Sequence, residues 1–246
     1  MSNVFYAPGD QRAARVNDLF AAIARRYDLL NDLQSFGLHR RWKRRVAELA
    51  AVPPGGRALD LCCGTGDIAF ALARRGAVVT GLDFSQAMLE IAEARQQKNS
   101  QSAPHSALRA PQFVQGDAQQ IPFPDATFDA VTVGYGLRNL ASWQTGLAEM
   151  QRVAKPGGRL VVLDFGKPAN ALWRKIYFGH LRCSVPLIGW LFCGNAAAYA
   201  YILESLNQYP AQLGVAEKMR ALKLVNVRII NLLGGAMVIN YGEKVG

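Results

Sequence analysis

The chain is short of cysteine, histidine and acid. Four cysteines in 246 residues do not make a disulfide framework, and Cys62 and Cys63 sit together in an apolar stretch, so a reducing, cytoplasmic setting is expected. Adjacent cysteines are poor paired ligands, which argues against zinc on Cys62, Cys63, Cys183 and Cys193; no metal is expected. Three histidines, His39, His105 and His180, supply few bases that titrate near neutrality. The opening "MSNVFYAPGDQRAARV" has no apolar h-region, so no secretory leader is expected. With 28 basic residues against 18 acidic ones the formal charge is +10. No nucleic-acid motif accompanies that excess. It is read as a solvated face or as contact with an anionic membrane surface, with no nucleic-acid partner. The densest run, "HRRWKRR", places Leu38, Trp42, Val46 and Leu49 at helical spacing towards a core, with Arg41, Arg45 and Glu48 on a solvated face.

Half of the residues are hydrophobic, enough for one large core. Through the middle of the chain short β-branched runs alternate with helical patterns. "RALDLC" (57–62) leads through a glycine turn into "DIAFALARRG", which Gly76 stops. "AVVTGLD" (77–83) is followed by Ser85, expected to cap the helix carrying Met88, Leu89 and Ile91. "QFVQGD" (112–117), "FDAVTVGYG" (128–136) and "RLVVLDF" (159–165) are the next strands, and a helix over "WQTGLAEMQRVA" ends at "KPGG". Such alternation predicts an α/β fold with a doubly wound, mainly parallel sheet. The stretch from Ala216 to Gly242 reads as helix, strand, tight Gly-Gly turn and strand, an antiparallel hairpin at the sheet edge. Residues 94–111 read as a helix end and a mobile loop. Between Arg182 and Glu204 lies an uncharged run long enough to span a bilayer. Pro186, Gly189, Gly194 and Asn195 break its pattern, so it is read as a cover over an apolar ligand.

"LDLCCGTG" (59–66) is the most informative stretch. Gly64-Thr65-Gly66, between a strand and a helix, lets the backbone approach a ligand closely, and the helix N-terminus favours a negative group. Asp83 ends the next strand, where an acid can accept ribose hydroxyls. Glycine turn plus acid suits either a nicotinamide dinucleotide or S-adenosylmethionine. The third glycine of a dinucleotide fingerprint is missing, because Gly66 is followed by "DIAF". "LDLCCGTG" instead resembles the D-x-[GA]-x-G-x-G motif of class I S-adenosylmethionine-dependent methyltransferases. Cys62 stands where that motif often has glycine, and both cysteines are expected to pack as small apolar residues.

Three further stretches, "YDLLNDLQSFGLHRRWK" (27–43), "GLRNL" (136–140) and "RVAKPGGRLVVLDFGKP" (152–168), resemble the ubiquinone/menaquinone biosynthesis C-methyltransferase family. So do "YILESLNQYP" and "LLGGAMVINYGEK" near the end. The resemblance implies a Rossmann-like, mostly parallel seven-stranded sheet closed by the C-terminal antiparallel hairpin. It implies one domain over 1–246: a helical substrate-side segment (1–52), a cofactor-binding core (53–165), an apolar cover (166–210) and a closing helix and hairpin (211–246). The implied reaction is S-adenosyl-L-methionine-dependent methylation of a ring carbon of a prenylated quinol, with demethylmenaquinol favoured over a prenyl-benzoquinol or demethylphylloquinol. An amino-methylating enzyme acting on nucleic acid would show "[DN]PP[YFW]" where this chain has "GYGLRN". A membrane surface at the inner face and a second copy of the chain are the other implied partners.

Residue by residue, Asp60, Gly64, Thr65 and Gly66 are expected at the methionine part of the cofactor. Asp83 is expected at the ribose, Asp117 and Ala118 at the adenine, and Gly134 through its backbone. Arg138 and Asn139, after the fourth strand, are the catalytic candidates together with Tyr27. Tyr27 and Asn31, one turn apart on the first helix, are expected to meet the quinol oxygens, and Asn31 and Arg138 to bind the substrate. Arginine is too basic to take the proton itself, so its expected role is to stabilise a phenolate or polarise a water. The histidines are candidate bases by chemistry only.

Overall fold

A computed structural model describes residues 18, 21, 24–102, 109–193, 204–206 and 208–246. Helix α1 (Tyr27–Ser35) and helix α2 (Leu38–Ala50) precede the sheet. The alternating core then runs β1 (Arg57–Leu61), α3 (Asp67–Ala73), β2 (Val78–Asp83), α4 (Gln86–Ser102), β3 (Gln112–Gln115), β4 (Phe128–Gly134), α5 (Trp143–Val153) and β5 (Ala154–Phe165). After α6 (Ala171–Cys193) and α7 (Ala211–Ala221), strands β6 (Leu224–Leu232) and β7 (Met237–Lys244) complete it.

The sheet has seven strands in the order β3-β2-β1-β4-β5-β7-β6. The pairs β1–β2, β1–β4, β2–β3 and β4–β5 are parallel, while β5–β7 and β6–β7 are antiparallel. The expected doubly wound sheet and closing hairpin are both present. The inner strands are largely apolar because both faces are covered, with Asp60, Thr132 and Asp164 as buried polar exceptions. On one face Leu59, Leu61, Val131 and Leu160 pack with Leu147 and Met150 of α5 and Val215 and Met219 of α7. On the other, Ala58, Val79 and Val161 pack with Val46 and Ala47 of α2 and Ala69 and Leu72 of α3.

Three local expectations change. Strand β5 begins at Ala154 rather than Arg159. Its pairing with β4 jumps from Phe128–Ala154 to Ala130–Arg159, so "KPGG" is a bulge inside the strand as well as a helix stop. The Ser85 hydroxyl does not cap α4; it is buried without a hydrogen-bond partner, and the serine contributes its backbone carbonyl to Met88 N and Leu89 N instead. The hairpin turn is a short 3-10 segment, Leu233–Gly235, in place of a two-residue Gly-Gly turn. Helix α4 extends to Ser102, and the loop expected beyond it, with His105, lies largely outside the described residues. The second part of the apolar run 183–203, residues 194–203, lies outside them too, while its first part continues α6 to Cys193. Among the described residues no helix is long and apolar enough to cross a membrane.

Candidate active site

The strand order reverses between β1 and β4, and a crevice opens there at the carboxyl ends of the strands, where open α/β sheets bind ligands. The crevice is open to solvent. Every strand exit around it contributes: Cys62 and Gly64 after β1, Asp83 to Ser85 after β2, Gly116 to Gln119 after β3, and Gly134 to Gly136 after β4. Tyr27 reaches it from α1, and Asn139 and Leu140 from the turn after β4.

The backbone of the glycine turn is left-handed at Cys62 (φ 50°), Gly64 (φ 53°) and Gly66 (φ 86°). At Gly64 an added Cβ would meet nothing within 4 Å, so the backbone is bare towards the cavity. At Gly66 it would lie 2.9 Å from Phe70 and 3.0 Å from Phe113, so this glycine serves packing under the turn. Cys62 and Tyr135 (φ 62°) are non-glycine residues held in this region at the cavity wall, where such backbone strain is commonly stored. Burial pushes both cysteine thiols well above their ordinary range, so they are neutral and act as small apolar groups. Cys62 also forms part of the wall.

Asp83 ties two strand exits together. Gly64 N donates to its Oδ2 at 2.8 Å and Ser85 N to its Oδ1 at 2.9 Å. Burial raises its pKa, and these backbone donors oppose the rise. Asp117 accepts from Gln119 N at 2.8 Å, which shapes the loop after β3. The unmet Ser85 hydroxyl sits on the same wall, with Leu82, Phe84 and Met88 as its apolar part.

Among the expected site residues, Tyr27, Gly64, Asp83, Asp117, Ala118, Gly134 and Asn139 share this cavity, whereas Asp60, Thr65, Gly66, Asn31 and Arg138 do not line it. Asp60 lies beneath the turn, 1% exposed, and its Oδ1 accepts from Thr132 Oγ1 at 2.8 Å. Burial raises its pKa to about 7, against the pull of that hydrogen bond. Thr65 turns towards α1, its hydroxyl donating to Asp28 Oδ1 at 2.8 Å. Asn31, one helical turn beyond Tyr27, has a buried Nδ2 with no hydrogen-bond partner. Arg138 is 6% exposed behind the wall; its Nη1 donates to Tyr135 O at 2.6 Å and to Asp164 Oδ1 at 3.2 Å, and its guanidinium lies 4.8 Å from the centre of the Phe165 ring. Asn139 Nδ2 donates to the same Tyr135 carbonyl at 3.0 Å, so both side chains clamp the turn after β4.

The histidines stand apart. His39 is buried with Nδ1 2.8 Å from Ser35 Oγ, and burial, then Lys43, lowers its pKa; His180 lies 3.4 Å from Ser184 Oγ. Neither lines the cavity. Lys43, from the basic run read as solvated beyond its apolar stripe, is 7% exposed, and its Nζ donates to Asp67 Oδ2 at 2.8 Å. Among the described residues no cluster of His, Cys, Asp and Glu could hold a metal ion.

The profile of the ubiE/COQ5 methyltransferase family matches residues 9–244 of this chain. The chain belongs to that family. A ubiE/COQ5 assignment agrees with its curated relatives. Demethylmenaquinone methyltransferase of Desulfitobacterium hafniense is 39% identical over 239 residues, 96% of this chain and 92% of that protein. The ubiquinone/menaquinone biosynthesis C-methyltransferase UbiE of Azotobacter vinelandii is 38% identical over 240 residues, with the same coverage. Solved structures share the fold at lower identity. A SAM-dependent methyltransferase from Aquifex aeolicus has a TM-score of 0.55 at 17% identity, covering 82% of this chain and 89% of its own. The [4+2]-cyclase SpnF has a TM-score of 0.61 at 19% identity, covering 95% of this chain and 97% of its own. A cyclase among these neighbours shows that the fold alone does not choose the reaction. For this ubiE/COQ5 chain, the family and the cavity walls carry that argument.

Sequence reasoning missed Asp28, Arg95, Asp67, Asp164 and the Phe84 and Met88 wall. Phe84 had a local signal, being a large apolar residue directly after Asp83 and 46% exposed. The charged partners had none, because they meet only through the fold.

Proposed function

We propose that this chain transfers the methyl group of S-adenosyl-L-methionine to a ring carbon of a prenylated quinol, with demethylmenaquinol as the acceptor. The carrying observation is the cavity itself, whose wall combines Gly64, Asp83, Asp117 and Ala118 with Tyr27 and Asn139. The first wall fits the cofactor. A bare glycine backbone, a carboxylate for a diol, an unmet buried hydroxyl at Ser85 and an apolar flank at Leu82 and Met88 match its polar and flat parts. When bound, S-adenosylmethionine supplies an electrophilic methyl group on a sulfonium.

The other wall is assigned to the acceptor. An aromatic carbon becomes nucleophilic once the neighbouring hydroxyl loses its proton, so the protein must orient the ring, favour the phenolate and exclude water. Tyr27 and Asn139 are assigned to the ring oxygens; the unmet Nδ2 of Asn31 offers a further donor. Arg138 is assigned to favour the phenolate, its Nη1 anchored on Tyr135 O and Asp164 beside Asn139. Asp60, Thr65 and Gly66 are assigned to shaping the turn that Gly64 presents.

The acceptor's isoprenoid tail is assigned to a lipid-facing edge, which supports peripheral contact with a membrane. Leu29 and Leu33 are exposed on α1 and Phe36, just past its end, is 87% exposed; Leu172 and Ile176 are exposed on α6 beside the exposed Arg174 and Lys175. The substrate-side segment, core, cover and closing hairpin are read as parts of one domain.

The test is methyl transfer from labelled S-adenosylmethionine to reduced demethylnaphthoquinols and prenyl-benzoquinols, with the oxidised quinones as controls. Label in the naphthoquinol ring, and none in the oxidised ring, is the expected result. Exclusive labelling of benzoquinols would reassign the acceptor, and no labelling of any quinol would overturn the reading.

A further inference from the structure

We propose that Asp28 and Arg95 form a positioning clasp that seats Tyr27 against the glycine turn, so that the acceptor-side helix and the donor-side turn move as one unit. The proposal rests on the reading of Tyr27 as an acceptor contact. Asp28 follows Tyr27 in the first turn of α1. Its Oδ1 accepts from Thr65 Oγ1 at 2.8 Å and its Oδ2 from Arg95 Nη1 at 3.2 Å. The same Arg95 nitrogen donates to Thr65 O at 2.8 Å, and Arg95 Nη2 donates to Asp67 Oδ1 at 2.7 Å. The other Asp67 oxygen takes Lys43 of α2. Two acids and two bases therefore join α1, α2, α4 and the start of α3 around one threonine.

The placement of this network argues for positioning over bulk stability. The Arg95 and Asp28 side chains are 34% and 35% exposed, a setting in which an ion pair contributes little to folding. What the planar guanidinium provides is direction, because two of its nitrogens address three acceptors, on α1, in the glycine turn and at the start of α3, at once. The turn it grips has left-handed backbone at Cys62, Gly64 and Gly66, so its shape depends on such ties. Tyr27 and Gly64 line the same cavity, so any slip of α1 alters the separation of the two reactants. A misplacement of about 1 Å can slow a reaction about 10²-fold.

The experiment is steady-state kinetics with a reduced demethylnaphthoquinol at saturating S-adenosylmethionine, with a thermal melt for each variant. Asp28→Asn, Arg95→Gln and Arg95→Lys are each made with Tyr27 and with Tyr27→Phe. Asp28→Asn is isosteric and keeps an acceptor for Thr65, so it guards against simple misfolding. Asp28→Asn and Arg95→Gln should each lower kcat/KM about 10-fold, and the double variant should be no worse than either. Arg95→Lys should recover only part of the loss, since one ammonium cannot span Asp28 and Asp67. With Tyr27→Phe, each clasp change should cost less than about twofold, the sign that it acts through the tyrosine. If Tyr27→Phe is impaired and the clasp changes add fully to it, the clasp is only structural and the proposal falls. If Tyr27→Phe turns over normally, the reading of Tyr27 falls instead.

Discussion

Asp83 joins the exits of β1 and β2 with one carboxylate, so its removal acts twice. Asp83→Ala should weaken S-adenosylmethionine binding by about 1.5–3 kcal/mol, the scale of hydrogen bonds to a charged group. It should also lower the melting temperature, because Gly64 N and Ser85 N lose their acceptor. Calorimetry showing unchanged affinity would take Asp83 out of the site. Asp60 makes a different prediction, on pH. Burial raises its pKa from 3.8 to about 7, so the folded chain holds a proton that the unfolded chain releases between those values. Its contribution to stability is therefore greatest below pH 3.8 and declines as pH rises to about 7. Asp60→Asn does not titrate and leaves an oxygen for Thr132. It should melt above the parent at pH 8, with the gap closing towards pH 4, near the ordinary carboxylate value. A constant gap across that range would refute the assignment. Asp67 has the opposite sign. Burial would raise its pKa, but Lys43 and Arg95 hold it well below the usual range, so its stabilisation is present above the ordinary carboxylate pKa and fades only in strong acid.

The elements differ in how much of themselves they disclose. Strands β1, β2 and β4 are legible because burial on both faces makes them largely apolar, β-branched runs between turn residues, with few polar positions such as Asp60 and Thr132. The glycine turn is legible because only a small set of residues tolerates its backbone. Strand β5 is legible only from Arg159 onwards, since "KPGG" reads as a helix stop and nothing local shows that Ala154 already pairs with Phe128. Side-chain partners are the least legible: Asp28 and Thr65 lie 37 positions apart and Arg138 and Asp164 lie 26 apart, and spacing reports only on neighbours within an element. The turn Leu137–Asn139 shows the consequence. Its arginine was read as facing the substrate; in the structure it is anchored on Asp164 and on the Tyr135 carbonyl it shares with Asn139. Arg138→Lys keeps the charge and loses the fork, so turnover should fall about 10²-fold while cofactor affinity stays within a few-fold. Activity should recover partly at raised pH, where more quinol ionises unaided. Unchanged turnover would make the arginine purely structural.

At the scale of the whole molecule, a charge of +10 coexists with an exposed apolar edge at Leu29, Leu33, Phe36, Leu172 and Ile176. Vesicles containing phosphatidylglycerol should therefore retain the protein, and neutral phosphatidylcholine vesicles should retain much less. Each base near the surface contributes about 1 kcal/mol, an attraction that salt screens. Leu33→Asp with Phe36→Asp should weaken retention at least several-fold without altering the melt; equal retention by both vesicle types would refute the part played by charge, and retention by neither would refute membrane contact. The strand order carries one more consequence, for how the chain is made. Strand β7 lies between β5 and β6, although β6 precedes it in the chain. While the polypeptide leaves the ribosome, the outer edge of β5, with its apolar Leu160–Leu163, has no neighbour until Met237–Lys244 has emerged. During that interval the nascent chain presents a ready template for pairing with another molecule. Synthesis that stalls before Met237 should therefore give an aggregating product in place of a shorter enzyme, and a chaperone that shields strand edges should act on this chain late in translation.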